Sequence, residues 1–159
     1  MNEWLDLLRR NDYISIKKHI RNGADVNKKS ETGESVLAYA LRYRCDDDIL
    51  ELLIASGADV RDIDNEGVSI FDMAITYDNL SLVKRFVEEG IYDVNETRRK
   101  SGFTPLMCAT CYGRVEIAKY LLEKGADKES VEQQGGLTAA DFARKMNKKT
   151  ILKLLKGED

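Results

Sequence analysis

The sequence predicts an all-α solenoid, a row of stacked helix-turn-helix pairs joined by hairpin-like turns that project to one side. Three observations predict it. Nine of the eleven glycines recur at two fixed positions of a repeat. Apolar residues between them follow helical spacing, and cap residues mark where helices begin and end. At 159 residues, 43% apolar and 33% charged, the chain has the composition of one folded domain.

The two glycine series set the period of the repeat. In the first series each glycine precedes a serine or threonine by two positions, and the spacings are 34, 35 and 34: Gly33, Gly67, Gly102 and Gly136. The second series closes each helical pattern: Gly23, Gly57, Gly90, Gly125 and Gly157. A single helix pair of this size cannot bury its own apolar face, so we expect the pairs to stack on one another. The predicted units cover residues of about 1–23, 24–57, 58–90, 91–125 and 126–159.

The first two units are justified by helical spacing and by charge. The first unit lacks a leading turn, and its helices are expected near Glu3–Arg10 and Tyr13–Asn22. The second unit has expected helices near Ser35–Tyr43 and Asp47–Ala55. Its acidic run Asp46–Asp48 lies where the second helix begins, and negative charge is favourable there because of the helix dipole.

The third and fifth units carry capping boxes. Ser69-x-x-Asp72 opens a predicted helix near Ser69–Tyr77, which is followed by a second near Leu80–Glu89. Thr138-x-x-Asp141 opens a predicted helix near Thr138–Met146, which is followed by a second near Lys148–Lys156.

The fourth unit, Gly102–Asp127, is the most regular copy of the repeat. Thr104 is placed as helix N-cap and Pro105 at the first helical position, where the missing N–H costs nothing. A second helix begins near Val115, and Gly125 is expected to end it in the left-handed conformation. The turn that leads into this unit, from Gly90 onward, is the longest in the chain.

These units resemble ankyrin repeats, whose signature centres on Thr-Pro-Leu-His-x-Ala. Thr104-Pro-Leu-Met-Cys-Ala109 matches that signature except at the histidine, which no unit contains. The turns Gly23-Ala-Asp-Val-Asn27, Gly57-Ala-Asp-Val60 and Gly125-Ala-Asp127 match the turn between ankyrin repeats. The resemblance covers nearly the whole chain. It implies a protein-binding array whose partners contact the turn tips and the first helices, which together line a concave groove.

The end units differ from the inner units at one position, the residue after the alanine of the first helix. It is Leu41, Ile75 and Thr110 in the inner units, but Arg9 and Arg144 in the first and last. Terminal repeats have only one neighbour and need a polar outer face. We therefore expect the first and last units to act as caps of a standalone array of about five repeats.

Composition excludes several classes of function. A net charge of −3 gives no electrostatic case for nucleic-acid binding. No basic leader with an apolar core and no membrane-length apolar run is seen, so we expect neither a signal peptide nor membrane insertion. Three cysteines, an odd number, favour reduced thiols and a cytoplasmic location. We expect a monomer that is not an enzyme and needs no cofactor; the single histidine, His19, is expected to be structural.

Cys108-Ala-Thr-Cys111 is the one pattern that points to other chemistry. A redox Cys-x-x-Cys lies at a helix start after a strand, and a zinc half-site needs two more ligands; neither context is present. Cys108 shares its repeat position with Tyr39, Met73 and Phe142, so we interpret it as a packing residue. A thiol-based redox or metal protein using Cys108 and Cys111 remains the third hypothesis.

Candidate binding residues come from positions that recur along the predicted groove. Tyrosine stands just before the turn between the helices in three units, and tyrosine is enriched at binding hot spots. The residue after the turn glycine is apolar in three units, and the long turn ends in a basic run that could attract an acidic partner. The predicted partner-binding set is Arg42, Tyr43, Val68, Thr76, Tyr77, Arg98, Arg99, Lys100, Phe103, Cys111 and Tyr112.

Two interpretations of this set stay open at this point. In the first, the chain is a protein-protein interaction module that acts as an inhibitor or adaptor, with Phe103 at the rim of the contact surface. In the second, it is a structural scaffold subunit, and the tyrosines pack between repeats. The alternative for the basic run is a solvated loop. Exposure of the three tyrosine rings distinguishes the two interpretations.

Overall fold

A computed structural model describes residues 1–158, and within them the chain folds into ten α-helices. The helices are α1 (Asn2–Arg9), α2 (Tyr13–Arg21), α3 (Val36–Arg42), α4 (Asp47–Ala55), α5 (Ile70–Thr76), α6 (Leu80–Glu88), α7 (Pro105–Cys111), α8 (Val115–Glu123), α9 (Ala139–Lys145) and α10 (Lys149–Leu155). The only β pairing in this described part is an isolated bridge between Lys29 and Ser35. Each predicted helix is found, and the bounds predicted for it differ from the observed ones by at most one residue.

Cap residues explain why the helices begin where they do. The Ser69 hydroxyl accepts a hydrogen bond from the backbone N–H of Asp72, and the Asp72 carboxylate accepts one from the N–H of Ser69, both at 3.0 Å. Thr138 and Asp141 make the same reciprocal pair at 3.2 and 2.9 Å. Both predicted capping boxes are confirmed. Pro105 lies at the start of α7, as predicted.

The turn between the two helices of every pair contains one residue in the left-handed region. Only the fourth pair uses glycine there, with φ of 68° at Gly113. The other four pairs place a larger residue at the same point, with φ from 52° to 60°: Asn11, Arg44, Asp78 and Asn147. Asparagine and aspartate tolerate this conformation comparatively well, whereas arginine gains nothing from it. The sequence predicted where each of these turns lies, but not that a larger residue would adopt the left-handed conformation in four of them.

Two compact units are distinguished within the chain, Met1–Asn65 and the residues from Glu66 onward. In the first unit, α1 packs against α3 and α2 against α4. In the second unit, α5, α7 and α9 form one row of neighbours and α6, α8 and α10 form another, so each layer is built from equivalent helices of successive pairs. Within each unit, the core lies between the paired helices and the next pair. The unit borders predicted from the repeat stay a prediction.

The long turn before the fourth pair carries its own anchor. Tyr92 is buried and stacks on Phe71 with ring centroids 5.0 Å apart, and Phe86 lies 5.5 Å from the same tyrosine. Farther along, the carbonyl oxygen of Arg98 approaches Gly67 so closely that a side chain there would lie 2.2 Å away. The turn is therefore held against the preceding pair and is a fixed part of the second unit.

The position that distinguishes the end units also differs in burial. Leu41, Ile75 and Thr110 are buried, whereas Arg9 and Arg144 are exposed. This pattern is what a polar outer face on the first and last pairs would produce.

Candidate protein-binding surface

The repeated tyrosine position is the C-cap of the first helix in each pair. Tyr43 ends α3, Tyr77 ends α5 and Tyr112 ends α7. Tyr43 and Tyr77 are half-buried, and Tyr112 is 52% exposed. Because none of the three rings is buried, all of them remain candidates for contact with a partner. Met146 holds the same position on α9 and is 46% exposed.

Met146 is a candidate that sequence reasoning left out. Its repeat position was recognisable, but a methionine did not match the tyrosine pattern. Methionine is a flexible apolar residue suited to adaptable contact surfaces. Tyr112 and Met146 end neighbouring helices of the second unit, since α7 packs against α9.

In the first unit, the candidate residues are already engaged within the protein. The Arg42 guanidinium pairs with the Glu34 carboxylate and lies over the Tyr39 ring, 5.2 Å from its centroid. Tyr43 has the Arg9 guanidinium 5.3 Å from its ring centroid and the Tyr39 ring 6.1 Å away. Glu34 therefore offsets the Arg42 charge that we expected to attract an acidic partner.

The three basic residues of the long turn do not all face solvent. Arg98 and Lys100 are exposed, whereas the Arg99 side chain is only 19% exposed. Arg99 Nε lies 3.4 Å from Asp72 Oδ2, and its guanidinium lies 5.1 Å from the centroid of the Phe103 ring. Arg99 thus points inward toward a buried carboxylate, and its contribution to partner binding stays a prediction.

Asp72 is the buried acid that accounts for this arrangement. Its side chain is 1% exposed, and burial raises its pKa, while Arg99 and the hydrogen bonds from Ser69 act in the opposite direction. Oδ1 has no hydrogen-bond partner among the described residues. Sequence reasoning assigned Asp72 to a capping box only. The ion pair escaped notice because its arginine is 27 residues away.

The remaining predicted contacts range from half-buried to buried. Val68, Phe103 and Cys111 are half-buried. The Phe103 ring lies 5.4 Å from that of Phe142, so Phe103 presents part of a ring pair to solvent. Thr76 is 9% exposed.

Both the hydroxyl and the carbonyl oxygen of Thr76 contact other residues of the second unit. Its hydroxyl lies 3.3 Å from Cys108 Sγ, and its carbonyl oxygen accepts two hydrogen bonds from the Arg114 guanidinium, at 3.0 and 2.6 Å. These contacts give Thr76 a role inside the stack, under the surface that Tyr77 and Tyr112 present.

The cysteines are free thiols in packed surroundings. Cys108 is fully buried, and burial raises its pKa to about 11, so almost none of it is thiolate near neutral pH. Burial also raises the pKa of Cys111, although Lys148 and Arg99 oppose that rise. Residues 1–158 contain no group of three or more His, Cys, Asp or Glu side chains that could hold a metal. His19 packs edge-on against Trp4, 4.7 Å between ring centroids.

Comparison with known families identifies the repeat. The family model described as ankyrin repeats matches in three overlapping copies, over residues 7–98, 44–132 and 71–159. The chain belongs to the ankyrin-repeat family. The predicted all-α ankyrin fold is therefore confirmed. Ankyrin repeats generally act as protein-protein interaction modules, and the family is typically non-catalytic. No helix in the described residues is long and apolar enough to span a membrane.

Individual relatives contain this type of array within much longer chains. Alpha-latrocrustotoxin-Lt1a of Latrodectus tredecimguttatus is 36% identical over 65% of this chain, which covers 7% of that protein. Ankyrin repeat protein L371 of Acanthamoeba polyphaga mimivirus is 29% identical over 82% of this chain and 17% of its own length. A rat ankyrin repeat and SAM domain-containing protein is 35% identical over 54% of this chain and 9% of its own. The chain thus spans a small fraction of each relative.

Proposed function

We propose that this ankyrin-repeat array is a non-catalytic binding module that holds a protein partner on the second unit, with Tyr112 as the central contact. The observation that carries the proposal is the half-exposed Tyr112 ring at the end of a buried helix. A large ring on a rigid backbone gives contact area at little entropic cost. Tyr77 and Phe103 would add partly exposed rings of the same unit.

Two exposed cations of the long turn would assist association. Arg98 and Lys100 project from a turn that is fixed against the core, so they would attract an acidic partner mainly by raising the association rate. Val68 and Cys111 are half-buried and would contribute less contact area, and Thr76 would support the surface from beneath. Arg42 and Tyr43 of the first unit are proposed as additional contacts.

We propose an inhibitor or adaptor role in preference to a structural scaffold role. A pre-organised surface on a small array suits occlusion or tethering of another protein, because little ordering is needed on binding. The scaffold alternative has its tyrosines packed between repeats, and the half-exposed Tyr112 does not favour that. Free thiols at Cys45, Cys108 and Cys111 are compatible with the reducing cytoplasm that we expected.

Affinity capture with matched variants tests the proposal. Wild-type protein, the triple variant Tyr77→Ala/Phe103→Ala/Tyr112→Ala and the control Ile14→Ala are used as baits, with melting curves to confirm folding. Ile14 is 79% exposed on α2 and lies outside the proposed surface. We expect the control to retain the wild-type partners and the triple variant to lose them. Equal capture by all three baits would remove Tyr77, Phe103 and Tyr112 as the binding surface.

A further inference from the structure

Positive charge is concentrated in the last helix pair. The chain as a whole has a net charge of −3. Between Ala139 and Glu158, in contrast, the sequence has six basic residues and only two acids, Asp141 and Glu158. The basic residues are Arg144, Lys145, Lys148, Lys149, Lys153 and Lys156. The last pair thus stands out electrostatically from the rest of the protein.

Three of these lysines form no ion pair within the described residues, although the charge of Lys145 acts on the Asp141 carboxylate. Two half-buried arginines of the second unit bind groups within the protein. Arg99 pairs with Asp72, and Arg114 donates a hydrogen bond to the carbonyl oxygen of Thr76. Lys145, Lys148 and Lys149, by comparison, form no ion pair with any of residues 1–158. The charges of Lys148 and Lys149 are thus available to a partner, and that of Lys145 is partly offset by Asp141.

The lysines lie beside the two most exposed apolar side chains of the repeated C-cap position. Lys148 Nζ reaches the turn after Tyr112, since a side chain built on Gly113 would lie 3.3 Å from it. Lys148 and Lys149 line an open depression of about 330 Å³ together with Gly113 and Asn147. Tyr112 directly precedes Gly113, and Met146 directly precedes Asn147. Two exposed apolar side chains therefore precede, in the chain, residues that line this depression together with Lys148 and Lys149.

We propose that this surface, defined as Tyr112, Lys145, Met146, Lys148 and Lys149, binds an acidic peptide segment of the partner protein that carries an apolar side chain. The apolar side chain lies against Tyr112 and Met146, and flanking carboxylates pair with the three lysines. This inference rests on the proposed function and specifies the chemistry of its partner. It also moves the main attraction away from the long turn, where one of the three cations is used internally.

Charge complementarity favours an acidic peptide segment as the ligand of this surface. Three lysine ammonium groups and two apolar contacts, the Tyr112 ring and the flexible Met146, match a short segment of Asp or Glu around a Leu or Phe. A nucleic acid would call for a wider basic face, because its affinity comes from neutralising many phosphates. The net negative charge of the chain opposes such a polyanion once it extends beyond the last pair.

Fluorescence anisotropy with a defined probe tests the inference. The probe is a labelled peptide with four Glu or Asp residues around a Leu-Phe pair, and the control peptide replaces each acid by Gln. The test variant is Lys148→Glu/Lys149→Glu. The matched control is Lys153→Glu/Lys156→Glu, which makes the same charge change in the same helix pair, away from the residues that line the depression.

We expect the acidic probe to bind wild-type protein and the Gln peptide to bind at least about tenfold more weakly. Lys148→Glu/Lys149→Glu should weaken binding of the acidic probe at least about tenfold, and the matched control less than about threefold. Met146→Ala should weaken it without altering its salt dependence. Thermal melts of each variant establish that the fold is kept.

Several outcomes would overturn the inference. These are no binding of the acidic probe to wild-type protein, equal loss in both lysine pairs, or tighter binding of a single-stranded RNA or an anionic lipid vesicle through the same lysines. Failure of the proposed function looks different, because it appears as unchanged partner capture by the Tyr77, Phe103 and Tyr112 triple variant. If capture needs those rings but persists in Lys148→Glu/Lys149→Glu, the binding function stands and the acidic-segment inference is wrong.

Discussion

Replacing Arg99 by Met should destabilise the second unit by leaving a buried carboxylate without its counter-ion. Asp72 is 1% exposed, and Arg99 Nε is 3.4 Å from its Oδ2. The other groups bonded to the carboxylate are the N–H and hydroxyl of Ser69, at 3.0 and 3.1 Å. Methionine fills much of the same space and retains apolar contact with Phe103, so the substitution mainly removes charge.

The expected cost follows from this geometry. Removing one partner of a buried ion pair costs about 3–5 kcal/mol. The lower end applies because the Arg99 side chain is 19% exposed and the contact to Asp72 is long. Loss of the cation-π contact with Phe103 adds about 0.5–1 kcal/mol, part of which the methionine sulfur restores. We therefore expect the free energy of unfolding to fall by about 3 kcal/mol near neutral pH.

The loss should depend on pH in a defined direction. Burial raises the pKa of Asp72 above its ordinary value of 3.8, and Arg99 opposes that rise. Without Arg99 the folded-state pKa lies higher still. An acid whose pKa is raised by folding favours the folded state most below its unfolded pKa, and that contribution is lost as pH rises through the folded pKa. The deficit of the variant should therefore shrink as pH falls toward 3.8.

Urea unfolding followed by circular dichroism, at several pH values, measures this. The control is Arg98→Met, which removes the neighbouring exposed cation and should change stability by no more than about 0.5 kcal/mol. Arg99→Met/Asp72→Asn should recover part of the loss, because the amide carries no buried charge. A loss below about 1 kcal/mol, or an equal loss at every pH, would refute the buried ion pair as a major stabilising contact of the second unit.

Three further outcomes are expected from the turns and thiols. Gly90→Ala should lower the free energy of unfolding by about 1 kcal/mol, because φ is +71° but the space around the position is open. Gly67→Ala should lower it by at least about 2 kcal/mol, because its Cβ would lie 2.2 Å from a carbonyl oxygen. Equal urea midpoints for the two variants would contradict this. Asn27→Ala should cost about 1–2 kcal/mol by calorimetry, because it removes hydrogen bonds of 2.9 and 2.8 Å to the next turn, and an unchanged melting temperature would contradict that. Iodoacetamide should label half-buried Cys111 before buried Cys108 by peptide mapping, and equal rates would show that the core opens locally.

Local sequence signals predicted the helix ends because the interactions that set them span a few residues. A Ser or Thr cap bonds to a backbone N–H three positions on, as Thr104 does to Met107 at 3.2 Å. Glycines with positive φ follow the second helices, as Gly125 does with φ of 93°. A repeat then multiplies each local signal, so that weak patterns support one another.

Contacts between pairs could not be predicted from such signals. Arg99 lies within a basic run that resembles a solvated loop, and only the position of Asp72 on the preceding pair turns it inward. Tyr92 similarly becomes an anchor because Phe71 and Phe86 meet it across the long turn. The repeated tyrosine position was visible in the sequence, but the exposure of each ring depends on the side chains around it.

The second unit gathers the features that local stability does not explain. Tyr112 and Met146 each expose about half of a large apolar side chain at the same position of neighbouring pairs. Lys148 and Lys149 place positive charge where α10 begins, although acidic residues are the favourable choice at a helix start. Such departures from local preference are expected where function sets the residue. Because these exposed apolar side chains and the lysines belong to the same two turns, one acidic, partly apolar segment of a partner would account for both.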